Sequence, residues 1–286
     1  MKLVHSLWSQ PMLESSPVDR QTKAVTAMWC YASSVAFAKL HARPIVLYAD
    51  EYAAKLLSFL PYDEILPLEV PAGTPTIFWA AGKFAAYSKM KPGDIHIDGD
   101  VFLQTYAVMH LLDYAVEQKY DLLVQCVENG ENCYDGAYDV VNKLLNSHGV
   151  TYQGQPFPMF SFAYNTGLIG FGNMDLRDHY VRLYFDTMEQ IISKPKLIDA
   201  LKEASSAPDI VLEQQTLYKL AHNFNVYSLL GVGVQSMEYS RLVGYQHLLG
   251  SAKANEMYKI INQLHDIDPD IFALTAGAVN DLLNAH

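Results

Sequence analysis

The chain has 286 residues, half of them apolar, and carries 31 Asp and Glu against 20 Lys and Arg, a formal charge of −11 with His neutral. That balance argues against nucleic acid as a generic partner, because phosphate binding needs a positive surface, and the 18% charged fraction argues against a disordered or coiled-coil chain. Cys30, Cys126 and Cys133 form neither a disulfide framework nor a zinc-type pair, no apolar run approaches the ~18 residues of a membrane span, and no leader pattern opens the chain, so a soluble protein of the reducing cytoplasm is expected.

Short apolar runs alternate with helical patterns, which predicts an α/β fold. Residues 2–8 (KLVHSLW) read as a first strand, and Asp19 as the cap of a helix over 20–40. Pro44 ends that helix before a β-rich run at 45–48 (IVLY). A helix over 51–60 stops at Pro61, a strand lies within 62–70, and 77–90 (IFWAAGKFAAYSKM) predicts a helix. The turn at 91–93 leads into 94–98, DIHID, a strand ending in acids.

In the second half, 121–127 (DLLVQCV) reads as a buried strand and 135–146 as a helix. QGQPFP reads as a loop, and 160–171 (FSFAYNTGLIGF) as strand material broken at Asn165-Thr166-Gly167. Helical patterns cover 176–192, 196–204 and 210–221, followed by a strand at 224–227 and a Gly-rich turn at 229–235. No repeat or linker divides the chain, so one domain over 1–286 is expected, with a helical extension over about 254–286.

The acidic strand end Asp98-Gly99-Asp100 is the sharpest chemical feature. Ligands of open α/β sheets bind beyond the carboxyl ends of strands. Two carboxylates there, with a glycine between them, make an oxygen-rich site that suits magnesium or manganese better than zinc; the alternative is an acidic turn that only caps or solvates. Near the C-terminus, His247-Leu248-Leu249-Gly250-Ser251-Ala252-Lys253 puts an imidazole, a glycine and an ammonium in one short segment. An imidazole can complete a metal site begun by carboxylates, and a lysine can meet a phosphate oxygen. Taken singly, each is also an ordinary surface residue.

Together, a mid-chain strand ending in Asp-x-Asp and a C-terminal His-x-x-Gly-x-x-Lys resemble the retaining sugar-nucleotide transferases of the glycogenin and lipopolysaccharide-galactosyltransferase type. The resemblance implies a nucleotide-diphospho-sugar transferase (GT-A-like) fold, a mixed central sheet flanked by helices. It implies Asp98, Asp100 and His247 as ligands of Mn2+ (or Mg2+), and Lys253, with the backbone at Gly250, as diphosphate contacts. Asn165 and Gly167 resemble the family's Asn-x-Gly strand facing the donor sugar, and Glu213-Gln214 its Asp-Gln pair near the sugar. The implied partners are a nucleoside-diphosphate sugar donor and a carbohydrate or lipid-linked acceptor. Where the family follows its lysine with Pro-Trp, this chain has Ala254-Asn255.

The same transferases often carry a basic residue on the helix before the metal strand, and Lys83, four residues after Trp79, matches that position; the alternative is a solvated helix lysine. Tyr48 and Asp50 end the second strand, where bases and riboses often sit, although a strand-end Asp is also a frequent helix cap. His96, between two isoleucines, is read as a packed or hydrogen-bonded histidine and Cys126 as a core residue. Nothing basic flanks Cys133 to activate its thiol.

The expected reaction is metal-dependent sugar transfer, which by the resemblance retains anomeric configuration. One rival is a haloacid-dehalogenase-type phosphatase, which also places Asp-x-Asp after a strand but early in the chain and with Thr or Val where Phe102 stands. Another is a catalytically inactive sugar-nucleotide-binding relative.

Overall fold

The computed structural model describes residues 1–129, 136–157, 161–204, 208–233, 235–248 and 252–285. Its first half contains β1 (Lys2–Leu7), α1 (Gln10–Leu13), α2 (Pro17–Leu40), β2 (Ile45–Ala49), α3 (Glu51–Leu56), β3 (Glu64–Pro67), α4 (Ala81–Tyr87), β4 (Asp94–Ile97), β5 (Val101–Leu103) and α5 (Tyr106–Glu117). The second contains β6 (Leu122–Asn129), α6 (Ala137–Ser147), β7 (Thr151–Tyr152), β8 (Gln155–Pro156), β9 (Phe162–Phe171), α7 (Met174–Ile192) and α8 (Pro195–Glu203). A π-helix (Ile210–Gln215) runs into α9 (Thr216–Leu220), and β10 (Val226–Ser228), α10 (Gln235–Val243), β11 (Tyr245–His247), α11 (Ala252–Ile267) and α12 (Pro269–Asn284) complete it.

Seven strands form one mixed sheet in the order β10-β6-β9-β4-β1-β2-β3. Its ladders are parallel except at β9, which is antiparallel to both β4 and β6. The interior strands β2 and β4 are buried along their whole length, and β1 through Leu3–His5, because helices cover both faces, although only β2 is a continuous apolar run. β3, at the sheet edge, is largely exposed and tolerates Pro67 there. Val4, Val46, Ile169 and Phe171 pack on one face with α4, α6 and α7, while Leu3, Leu47, Ile95 and Leu168 pack on the other with α2, α11 and α12. Each such aliphatic burial contributes about 1.5–3 kcal/mol.

From β1 the chain moves outward through β2 to β3, then returns to place β4 on the other side of β1. The strand order therefore reverses between β1 and β4, and the carboxyl ends of these two strands border the crevice where such sheets bind ligands.

Several local expectations change in the structure. Ser16, not Asp19, caps α2, its hydroxyl accepting from Asp19 N, because Ser16-Pro17 supplies both a cap and a favoured first helical residue. The 51–60 and 77–90 helices shorten to Glu51–Leu56 and Ala81–Tyr87, while the strand expected within 62–70 is Glu64–Pro67. β9 runs unbroken through Asn165-Thr166-Gly167, held between two neighbours. The 210–221 helix begins as a π-helix, with the Thr216 hydroxyl donating to Val211 O five residues back. β5, α5 and the β7–β8 hairpin go beyond the predicted elements; β5 is three residues long and is a strand only because β11 pairs with it. Among the described residues no helix is long and apolar enough to cross a membrane.

Candidate metal centre

Asp98-Gly99-Asp100 forms the turn from β4 into β5, closed by Val101 N donating to Asp98 O at 3.0 Å. Gly99 is required by a close approach: a Cβ there would lie 2.2 Å from Cε2 of Tyr31. The Tyr31 ring thus rests on the turn, and its hydroxyl donates to Ser6 O at 2.6 Å, tying α2, β1 and the acidic turn together. β11 then pairs antiparallel with β5, setting His247 opposite Val101, while Leu248 N donates to Asp100 O. This ladder carries the imidazole to the acids across just over half the chain. One ligand atom each from Asp98, Asp100 and His247 lies within 4.8 Å of the others.

His247 is held from behind. Its Nδ1 lies 2.9 Å from Gln125 Oε1, which also accepts from the Tyr245 hydroxyl at 2.7 Å. A carbonyl oxygen only accepts, so Nδ1 is the donor in this contact, and Nε2 faces Asp100 Oδ1, 3.5 Å away. Orientation of a ligand imidazole through its other nitrogen is a common feature of metal sites. Gly167 makes the room: a Cβ there would stand 2.4 Å from His247 Cε1 and 2.5 Å from Gln125 Oε1.

Lys83 links the acids to the buried face of the sheet. Its Nζ donates to Asp98 Oδ2 at 2.8 Å and to Glu213 Oε1 at 3.1 Å, and sits 5.2 Å from the Trp79 ring centroid. Burial disfavours the ammonium, but the two carboxylates outweigh it and hold the Lys83 pKa above its ordinary value. Burial pushes the Asp98 carboxyl up to about 6, with Lys83 pulling it down and Asp100 pushing it up. Glu213 is fully buried, takes a hydrogen bond from Tyr87 on the same oxygen, and its Oε2 has no hydrogen-bond partner among the described residues.

Not every expected site residue reaches this cluster. Glu213 meets it through Lys83, whereas Gln214 Oε1 accepts from the Tyr138 hydroxyl at 2.7 Å. Asn165 donates to Glu128 Oε1 and accepts from Gly167 N, while Gly167 O accepts from Asp98 N, so this part of β9 touches the acidic turn directly. Asp50 is a helix cap: its carboxylate accepts from Ala53 N, Ser9 N and the Ser9 hydroxyl, which satisfies it within the fold. Tyr48 is buried against Val46 and Leu68. Gly250 lies outside the described residues, as does the side chain of Lys253. His96 is buried with its Nε2 2.8 Å from the Ser6 hydroxyl, and Cys126 is a core residue, both as read from the sequence; Cys133 lies outside the described residues.

Around the cluster the structure also places Gln125, Glu128, Tyr31 and Tyr245, which the sequence does not single out. Gln125 leaves a signal, a polar residue inside the apolar run LLVQCV, whereas the tyrosines look like ordinary half-buried aromatics. Burial raises the Glu128 carboxyl above its ordinary range against the Asn165 hydrogen bond, and its Oε2 is buried without a partner among the described residues.

The centre opens into a cleft of about 420 Å³ beyond β1 and β4, bordered by Trp8, Thr26, Tyr31, Trp79 and Lys83. Asp98, Asp100 and Glu213 around one ammonium leave a formal surplus of two negative charges. Two carboxylates and one imidazole gathered this closely would suit manganese or magnesium.

A model of a family described as of unknown function (DUF6734) matches residues 1–273. No curated protein matches the sequence.

Proposed function

The chain belongs to DUF6734, a family of unknown function, and we propose from its site that it is a metal-dependent glycosyltransferase. It moves a sugar from a nucleoside-diphosphate donor to a carbohydrate or lipid-linked acceptor, with retention. The observation that carries this reading is the gathering of Asp98, Asp100 and His247 within 4.8 Å, at the crevice where the strand order reverses. The mixed α/β sheet agrees with the resemblance to sugar-nucleotide transferases, as does the order of the acidic pair, the Asn165-x-Gly167 strand, the Glu213-Gln214 pair and the C-terminal histidine.

Asp98, Asp100 and His247 would hold Mn2+ or Mg2+, which would supply Lewis-acid stabilisation for the negative charge of a leaving nucleoside diphosphate. The chain's own groups prepare for that charge. Lys83 lines the cleft with a fixed positive charge, and Gln125 keeps Nε2 of His247 facing the acids. Glu128 fixes the Asn165 amide, which orients the donor sugar, and Glu213 acts by positioning Lys83. Gly250 and Lys253 extend the His247 segment as diphosphate contacts. Groups already placed where charge develops stabilise the transition state without reorganising, and losing one metal ligand would raise the barrier by about 3–5 kcal/mol.

A thermal-shift panel of nucleoside diphosphates and sugar nucleotides, with and without Mn2+, tests the proposal. Stabilisation by one base class only with metal, abolished by Asp100→Ala and His247→Ala, is the expected result. Unchanged shifts in the two variants would refute the ligand assignment. Donor binding without hydrolysis or transfer across an acceptor screen would reduce the protein to a sugar-nucleotide-binding relative.

A further inference from the structure

We infer that Lys83 is a resident counter-ion that sets the divalent-ion affinity of the centre, an inference that rests on the metal-dependent reading above. The ammonium is one hydrogen bond from a candidate ligand atom, Asp98 Oδ2, and one from Glu213 Oε1. The lysine and Asp98 side chains are about one-sixth exposed and that of Glu213 is fully enclosed, so water screens the three charges poorly. Glu213 is too deep to join the ligand set, and its second oxygen lacks a partner among the described residues. Its negative charge nevertheless acts on the centre through the same ammonium.

Lys83 and Glu213 therefore pull in opposite directions. The lysine competes with an incoming cation for Asp98, and the glutamate offsets the lysine. With both in place the ion enters a site of formal charge −2, which it neutralises; without Lys83 it would enter at −3, and with Glu213 neutralised at −1. At short range and low dielectric each such step is worth on the order of tenfold or more in affinity.

Mn2+ binding by isothermal titration and by the EPR signal of free Mn2+, without donor or turnover, reads this directly. Lys83→Met is expected to tighten Mn2+ roughly tenfold or more, and Glu213→Gln to weaken it by a similar factor. The double variant, which restores the original charge, is expected to return to within about threefold of the wild type. If Lys83→Met does not fold, Glu213→Gln and the charge-restoring double variant still test the order. Affinities that ignore the charge order, or a Lys83→Met protein that binds Mn2+ more weakly, would overturn the counter-ion role while leaving the metal centre standing. Absence of Mn2+ binding from all the folded proteins would remove the metal-dependent reading itself.

Discussion

Two glycines three residues apart on β9 serve opposite ends of the sheet. At Gly167 a Cβ would meet His247 and Gln125 at 2.4–2.5 Å, so the missing side chain is the space the imidazole occupies. At Gly170 the nearest atoms to a Cβ, Asp94 O and Ile95 Cγ1, are 3.4 Å away, an ordinary contact. Gly170 instead borders a second cavity of about 330 Å³ with Ile95, Val116, Leu123 and Phe171. The two hollows differ little in volume, about 420 against 330 Å³. Their linings differ in kind: one gathers the carboxylates of Asp98 and Asp100 and the ammonium of Lys83, the other mostly aliphatic and aromatic carbon. Convergence of charge, rather than empty volume, distinguishes the candidate site.

The sharpest way to break that contrast is Gly167→Ala. The added methyl must displace His247 or Gln125, so a loss of about 1–3 kcal/mol in stability is expected together with at least tenfold weaker Mn2+ binding. Chemical denaturation and metal titration of the same sample measure both, and an unaltered Mn2+ affinity would mean that His247 is not a ligand.

A pH dependence should follow from the buried end of the segment bearing Glu213. Burial pushes Asp209 up to about 8, against hydrogen bonds donated by Ala80 N at 2.7 Å and the Tyr184 hydroxyl at 2.8 Å. Unfolded, the group titrates near 4. The folded state thus retains a proton that the unfolded state has lost, so this group's contribution is greatest below about 4, declines as pH rises toward 8 and levels off above. The slope from this one group is at most about 1.4 kcal/mol per pH unit. Asp209→Asn should flatten it, as urea midpoints from pH 5 to 9 would reveal; parallel curves for the two proteins would contradict an elevated Asp209.

The smallest effect belongs to Gly170→Ala. A methyl entering the apolar hollow should leave Mn2+ affinity unchanged and alter stability by less than about 1 kcal/mol. A loss of metal binding there, matching that of Gly167→Ala, would erase the distinction between the two ends.

Much of the fold was legible because burial on both faces writes itself into the chain. IVLY and LLVQCV are largely apolar runs that form β2 and β6, DIHI alternates isoleucine with polar residues and forms β4, and the acids after it fall at the strand end. The candidate centre was half legible in the same way: its residue types are visible, and their order supports a family resemblance. The sequence leaves Asp50 open between donor contact and helix cap, because a strand-end carboxylate looks the same in either role; the positions of Ser9 and Ala53 show the cap. Glu213 could not be placed either, because nothing in VLEQQTL tells which face of a π-helix turns toward Lys83.

What the amino-acid order determined alone was local: alternating strands and helices, the acidic turn after β4, and an imidazole near the C-terminus. Tertiary structure decided what meets what. The β5–β11 ladder draws His247 to Asp98 and Asp100, a ring from α2 seats the turn, and an amide from β6 aims the imidazole. Backbone pairing between segments more than 140 residues apart leaves no periodic trace in either segment, because the hydrogen-bonding groups that form it are the same in every residue.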